Sequence, residues 1–205
     1  NKRYDVEFDI KELTEKYRCI LNPKKFLRDN NLEENKLFNY ENAIGFVSED
    51  DSHITFRSID NNSKIRYFVH TINMYGTKTY LIKNQVDVLK PTINVHVTEG
   101  CFDIIGIDKF IVDSSNMQDI FVAACGKSFM RAIKTITQKG FLNLNINFYS
   151  DQDVKIDVFS YLRKNNVELY SNNVKVYYNT LEKDYGVPAN RIKLREGVIY
   201  GWLQK

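Results

Sequence analysis

The chain has 205 residues, of which 43% are hydrophobic and 27% charged, and its formal net charge is +3. This is the composition of a globular protein, and the length suits one large domain or two smaller lobes. The small net charge excludes nucleic-acid binding through overall basicity, so such contacts must come from local clusters or bound cations. No apolar stretch approaches the roughly 20 residues that span a bilayer, and no leader-like segment opens the sequence. We therefore expect a cytoplasmic protein without membrane contact.

Three cysteines, Cys19, Cys101 and Cys125, are widely separated in the sequence. An odd count without a C-x-x-C spacing argues against a disulfide framework and against a zinc knuckle. We therefore expect buried, inert thiols.

The first part of the chain has helical patterns. Residues 9–20 predict a helix that begins at Asp9, whose side chain can cap it. Pro23 follows an asparagine and predicts the start of a second short helix, which runs through Arg28. Residues 30–42 are rich in Asn and Glu and read as a linker.

From Ala43 onwards the hydrophobic residues alternate, which is typical of strands. IGFVS is a short strand, and HITFRSI and KIRYFVH lie on either side of an Asn-rich turn, which predicts a β-hairpin. A third strand is possible over 80–83, and Pro91 marks a boundary.

After Pro91, apolar strands alternate with helices. The predicted strands are INVHVT (93–98), DIFVAAC (119–125), LNINFYS (144–150) and VKVYY (174–178), and the helices are CFDIIGIDKF, KSFMRAIKTITQK and DVFSYLRKN. Such alternation indicates an α/β fold with a mainly parallel sheet. The expected division is a mixed N-terminal lobe over 1–90, with a helical lead-in over 1–41 and a β-rich segment over 42–90, then an α/β domain over 91–185 and a C-terminal extension over 186–205.

Acidic residues follow two of these strands. Glu99 comes directly after one and Asp151 after another, and ligands of open α/β sheets bind outside the carboxyl ends of the strands. Asp153 stands two residues further on, so in extended backbone it points to the same side as Asp151. Carboxylates that converge in this way favour a hard divalent cation such as Mg²⁺. The alternative is that each acid only caps the helix that follows it.

Two motifs resemble those of the Toprim family. VHVTEGCFDIIGI resembles its strand running into E-G-x-x-D, and FYSDQDV resembles its D-x-D motif, so the resemblance covers 93–184. It implies metal-dependent phosphoryl transfer, with Glu99 as general acid and base. Asp103, the aspartate of the first motif, is the second catalytic residue that the resemblance implies. The resemblance also implies that Asp151 and Asp153 hold Mg²⁺ or Mn²⁺, with two ions expected.

The order of segments resembles the RNA-polymerase domain of bacterial and phage replicative primases. A mixed lobe with FRSID and KIRYF precedes the Toprim motifs, and VAACGKSF and EKDYGVP resemble later primase segments. The last of these adds Asp184 as a further metal-ligand candidate. The resemblance implies an enzyme that makes short RNA primers on single-stranded DNA from nucleoside triphosphates, with a replicative helicase as a candidate partner. Two alternatives stay open: a Toprim-type nuclease, and a non-catalytic nucleic-acid-binding adaptor of the replisome.

The hairpin suggests a phosphate-binding surface. If 61–62 form a two-residue turn, Arg57 lies directly opposite Arg66, and a like-charge pair of this kind is destabilising. One face would then be apolar, made of Ile54, Phe56, Ile65, Tyr67 and Val69. The opposite face would carry Arg57, Lys64 and Arg66, with Phe68 available for base stacking. We expect an anion such as a nucleic-acid phosphate between the arginines; the alternative is a solvated face.

Overall fold

The structure is a computed structural model, and it describes residues 8–60, 62–82, 86, 92–112, 118–126, 128–141, 143–151, 162–166 and 171–197. It contains a four-stranded and a six-stranded sheet, and the chain divides into two units, Asn1–Tyr80 and Leu81–Lys205. The combination of an antiparallel sheet with a mixed α/β sheet confirms the predicted fold class. The domain bounds given above stay a prediction.

The first sheet is antiparallel throughout. Its strands, in spatial order, are β1 (Cys19–Ile20), β2 (Ala43–Val47), β3 (His53–Ser58) and β4 (Tyr67–Thr71). The predicted short helix is confirmed as α1 (Pro23–Asp29). Its first turn is capped by Asn22, whose side-chain oxygen accepts a hydrogen bond from the Lys25 N–H at 3.0 Å.

The helix predicted over 9–20 is shorter than expected. Asp9 begins it by accepting a hydrogen bond from the Lys11 N–H at 2.9 Å, and it ends with a π-helical turn over Glu12–Lys16. Arg18 has a φ of 50°, a left-handed conformation that stops a helix. The two residues after it therefore leave the helix and pair with β2 as strand β1.

The segment 30–42 is more than a linker. It has no helix or strand, but Phe38 and Tyr40 are buried. Their rings lie 4.9 Å apart, and the ring of Tyr40 lies 5.1 Å from that of Phe56 on β3. This segment therefore supplies aromatic side chains to the core of the first unit.

The hairpin forms, but its predicted register is wrong by one residue. Arg57 lies opposite Tyr67 and Phe56 lies opposite Phe68. The Ser58 N–H donates to the Arg66 carbonyl oxygen at 2.8 Å, which continues the same register. The strands end at Ser58 and resume at Tyr67, so the connection is longer than the assumed two-residue turn.

A shift of one residue exchanges the faces of a strand. Arg57 and Arg66 therefore lie on opposite sides of the sheet, and the predicted like-charge pair does not form. Phe68 joins Phe56 on the core side, whereas Tyr67 is 65% exposed. The aromatic side chains of the preceding loop account for this register, since Phe68 packs against them.

The second sheet has six strands. They are β5 (Tyr80–Ile82), β6 (Ile93–Thr98), β7 (Asp119–Ala123), β8 (Leu144–Ser150), β9 (Ser171–Asn179) and β10 (Leu194–Glu196), in the spatial order β10-β9-β8-β6-β7-β5. β7, β6, β8 and β9 run parallel to one another, as predicted, and β10 runs antiparallel to β9. The predicted strands over 93–98 and 144–150 are confirmed to the residue.

Two helices follow these strands. α2 (Cys101–Phe110) and α3 (Phe129–Gln138) confirm the predicted helices, and Gly140 ends the second with a φ of 84°. The third predicted helix lies mainly outside the described residues. Its described part is helical over 162–164. Within the described part of the chain, no helix is long and apolar enough to cross a membrane.

The core of this unit lies on one face of the central strands. It joins alternate residues of β6 and β8 to the buried side of α3, including Val95, Val97, Ile133, Ile146 and Phe148. On the opposite face, His96 is buried and hydrogen-bonded to Asp119 and Tyr149, at 2.9 Å each. β7 is buried along its whole length, which explains why this strand reads as almost continuously apolar.

Candidate acidic active site

The acids that the sequence singled out follow neighbouring strands. Glu99 comes directly after β6 and Asp151 directly after β8, and these two strands are adjacent and parallel. Asp103 lies in the first turn of α2, and Asp184 lies in the loop after β9. All four are half-buried. The topology therefore brings acids from separate segments to the carboxyl edge of the sheet.

The electrostatics of Asp151 show that these acids interact. Burial and the charges of Asp103, Asp184 and Glu99 together raise the pKa of Asp151 to about 7, against a lowering effect of Lys183. The Lys183 ammonium lies 3.9 Å from Asp151 Oδ2. A carboxyl group with this pKa is partly protonated at neutral pH. A cation beside it would stabilise the ionised form.

Asp103 is hydrogen-bonded to the loop that carries Asp184. Its Oδ1 accepts hydrogen bonds from the backbone N–H groups of Tyr185 at 3.0 Å and Gly186 at 3.2 Å. Asp103 therefore ties the start of α2 to the loop that carries Asp184. A Cβ atom at Gly100 would lie 2.6 Å from Asp103 Oδ2, so glycine there leaves room for this carboxylate.

Tyr185 also holds the loop that carries Asp184, and the sequence analysis did not identify it. The side chain is fully buried, and its hydroxyl lies 2.9 Å from the Ser150 carbonyl oxygen and 2.8 Å from that of Tyr177. It also accepts a hydrogen bond from the Asn179 N–H at 3.1 Å. The hydroxyl thus links the backbone directly before Asp151 to the loop directly after Asp184. The signal that could have found it is a large aromatic residue between an acid and a glycine in a polar loop.

Two glycines allow the loop to approach α2. A Cβ at Gly106, in the middle of α2, would lie 2.1 Å from the Tyr185 carbonyl oxygen. A Cβ at Gly186 would lie 3.0 Å from the Cβ of Phe102. The helix accepts the cost of an internal glycine because the loop backbone packs directly on it.

Asn179, the last residue of β9, fixes the course of this loop. It is fully buried, and its amide nitrogen donates to the carbonyl oxygens of Asp184 at 3.0 Å and Arg191 at 3.1 Å. Its amide oxygen accepts from the N–H groups of Leu181 at 3.2 Å and Lys193 at 3.0 Å. All of the hydrogen-bonding capacity of the side-chain amide is therefore used, and one of its four hydrogen bonds holds the backbone of Asp184.

The fit of these acids to a metal ion rests on their donor chemistry. Among the residues that the structure describes, no group of three or more His, Cys, Asp or Glu side chains is placed so that it could hold a metal ion. Asp153, a predicted ligand, lies outside the described residues. The cluster nevertheless offers half-buried carboxylate oxygens whose charges repel, which is the donor type that Mg²⁺ and Mn²⁺ take.

The hairpin residues do not form the predicted surface. Arg57 is half-buried and lies opposite Tyr67, whereas Arg66 and Lys64 are exposed. Phe68 is half-buried and contributes to the core, with its ring 6.0 Å from that of Phe38. The arginine pair was the argument for a phosphate between these strands, and the observed register removes it.

Solved structures of a bacterial primase domain resemble the chain. The RNA polymerase domain of Mycobacterium tuberculosis primase DnaG, in complex with a double-stranded DNA oligomer that has a 6-nucleotide overhang, matches with a TM-score of 0.55 and 13% identity over 88% of this chain and 64% of that chain. The same domain without the oligomer matches with a TM-score of 0.54 and 12% identity over 88% and 67%. The chain has a primase-type fold. No protein-family model matches the sequence, and no curated protein matches it significantly.

Within this primase-type fold, four of the predicted site residues come together. Glu99, Asp103 and Asp184 each lie near enough to Asp151 for their charges to raise its pKa. Their roles as base or ligand stay predictions. The chain spans about two thirds of the two primase domains, with 64% and 67% of their lengths covered.

Proposed function

We propose that the chain is the catalytic core of a phage-type DNA primase, which synthesises short RNA primers on single-stranded DNA from nucleoside triphosphates. The observation that carries this proposal is the group of four acids at the carboxyl edge of the sheet of a primase-type fold. The single-stranded overhang in one of the similar structures is in keeping with such a template.

The reaction joins a 3′ hydroxyl to the α-phosphorus of the incoming nucleotide. The new oxygen–phosphorus bond forms as the bond to pyrophosphate breaks, and the hydroxyl proton must be removed. Glu99, at the end of β6, would accept that proton. Two bound Mg²⁺ or Mn²⁺ ions would lower the pKa of the hydroxyl and neutralise the charge of the pyrophosphate.

The residues that would hold the ions are Asp151, Asp153 and Asp184. Burial and neighbouring acids disfavour the ionised form of Asp151, so a bound cation would stabilise that form. Asp103 would act indirectly, because it already holds the loop of Asp184 through Tyr185 and Gly186. Lys183 is 54% exposed at the rim of the cluster and offers a positive charge to an approaching triphosphate.

The test is incubation with single-stranded DNA, labelled nucleoside triphosphates and Mg²⁺ or Mn²⁺. We expect short RNA products from the wild-type chain, and a loss of orders of magnitude in Glu99→Gln and Asp151→Asn. Asp29→Asn, at the exposed end of α1, is the matched control and should keep full activity.

Two other outcomes would overturn the proposal. Metal-dependent cleavage of the DNA without extension would make the chain a nuclease that uses the same acids. Binding of single-stranded DNA with neither extension nor cleavage would make it an adaptor.

A further inference from the structure

Two thiols lie in contact beside Glu99. The sulfur atoms of Cys101 and Cys125 are 3.3 Å apart, although 24 residues separate them in the chain. Cys101 is the first residue of α2, two residues after Glu99, and Cys125 is two residues after the end of β7. Because β6 and β7 are parallel neighbours, both segments leave the sheet at the same edge.

The backbone holds these thiols face to face. Cys125 has a φ of 50° and is followed by Gly126 with a φ of 137°, so the chain turns sharply after β7. The Gly126 N–H donates to the Glu99 carbonyl oxygen at 3.3 Å, and the Ala124 N–H donates to that of Thr98 at 3.0 Å. The loop that carries Cys125 is therefore bonded to the backbone that carries Glu99. Only about 1.3 Å of approach separates the sulfur atoms from the roughly 2.0 Å of a disulfide bond.

The two thiols differ in access. Cys101 is 6% exposed, whereas Cys125 is half-buried, so a small oxidant can reach Cys125 first and Cys101 can then resolve the product. Cys19 gives a contrast within the same chain. It is buried in the first unit, its Sγ lies 3.6 Å from the Tyr17 carbonyl oxygen, and burial raises its pKa to about 12.

We propose that Cys101 and Cys125 form a redox-sensitive dithiol that a peroxide closes into a disulfide next to Glu99. Two S–H bonds and the O–O bond of hydrogen peroxide break, one S–S bond forms, and the peroxide takes up two electrons and leaves as two water molecules. A dithiol reductant reverses the step. Disulfides of this transient kind are the ones expected in reducing compartments.

The bond would tie the first residue of α2 to the loop after β7, whose Gly126 N–H already donates to the Glu99 carbonyl oxygen. We expect the oxidised chain to lose most of its metal-dependent activity and to recover it on reduction. This consequence rests on the proposed function, whereas formation of the bond does not.

The experiment treats the full chain with hydrogen peroxide and counts free thiols. We expect the count to fall from three to one in the wild type, and peptide mass mapping to show Cys101 linked to Cys125 with the loss of two hydrogen atoms. Cys19→Ser is the matched control and should still lose two thiols. Cys125→Ser should retain Cys101 and Cys19 as free thiols after the same treatment.

Other outcomes would overturn the proposal. They are an unchanged thiol count, a link that involves Cys19, and oxidation of Cys125 to a sulfinic acid without a cross-link. If the disulfide forms but primer synthesis is equal in the oxidised and reduced chains, the coupling to Glu99 is wrong. If the reduced chain makes no primers, the proposed function fails, while the thiol count still decides the disulfide.

Discussion

The raised pKa of Asp151 makes the folding stability of the chain depend on pH. Its folded-state pKa of about 7 lies above the ordinary value of 3.8, because burial and the charges of Asp103, Asp184 and Glu99 disfavour the ionised form. A raised pKa contributes stability that is fully present below the unfolded value and is lost as pH rises through the folded value. In the absence of divalent cations, the chain should therefore lose stability between about pH 4 and pH 7.

Asp151→Asn should remove this dependence. The neutral amide cannot ionise, so in a chelating buffer at pH 7.5 we expect its melting temperature to exceed that of the wild type by a few degrees, the shift that about 1 kcal/mol causes in a chain of this size. Thermal melts of both proteins from pH 4.5 to 8 measure it. A wild type and variant that melt in parallel over this range would mean that Asp151 ionises freely, and that the neighbouring acids do not act on it.

At the scale of elements, local pattern predicted strand and helix types well. The strand of Ile93–Thr98 and the helix of Cys101–Phe110 were found to the residue, because apolar runs between glycines and acids leave little freedom. The register in which strands pair was harder to predict from the sequence. The register of β3 and β4 depends on aromatic rings from a segment that reads as a linker, and on a turn longer than its Asn-rich centre suggests.

The observed register makes a prediction about the hairpin core. Phe68→Ala should lower the free energy of unfolding by roughly 2 to 4 kcal/mol, because the ring packs against Phe38 and Tyr40. Tyr67→Ala should cost far less, because Tyr67 is 65% exposed. Chemical denaturation measures both. A larger loss of stability in Tyr67→Ala than in Phe68→Ala would favour the register predicted from the sequence, in which Arg57 lies opposite Arg66.

The hydroxyl of Tyr185 holds the loop after β9 in place. Tyr185→Phe removes the donor between the carbonyl oxygens of Ser150 and Tyr177, which should cost about 1 to 3 kcal/mol of stability. If Tyr185 positions Asp184, the Mg²⁺ concentration for half-maximal primer synthesis should also rise. Tyr75→Phe is the control, because Tyr75 is 92% exposed. Lower stability with an unchanged Mg²⁺ requirement would show that Tyr185 is structural only.

At the scale of the whole molecule, the sequence predicted where the acids lie but not the hydrogen bonds that hold their loops. Glu99 and Asp151 could be found because parallel strands deliver their carboxyl ends to one edge, whatever the loops do. Tyr185 and Asn179 could not, since their hydrogen bonds exist only once the loop has folded back. The contact of Cys101 with Cys125 was equally hidden, because it depends on a left-handed residue after β7.

Net charge governs how the molecule would bind single-stranded DNA. With a formal charge of +3, affinity should come from a few specific cations, each contributing about 0.7 to the slope of log K against log salt. Arg57 and Arg66 lie on opposite sides of the sheet, so one strand of DNA that passes over one face can contact only one of them. We therefore expect either Arg57→Ala or Arg66→Ala, but not both, to flatten that slope.

Fluorescence anisotropy with a labelled oligonucleotide across a salt series measures these slopes. Lys36→Ala, at an exposed position in the loop before β2, is the control of equal charge. Equal effects of all three variants would indicate a diffuse positive field. If the two arginine variants each flatten the slope and the double variant does no more than either, the arginines share one phosphate. That result would require both side chains on one face, which the pairing of Arg57 with Tyr67 forbids.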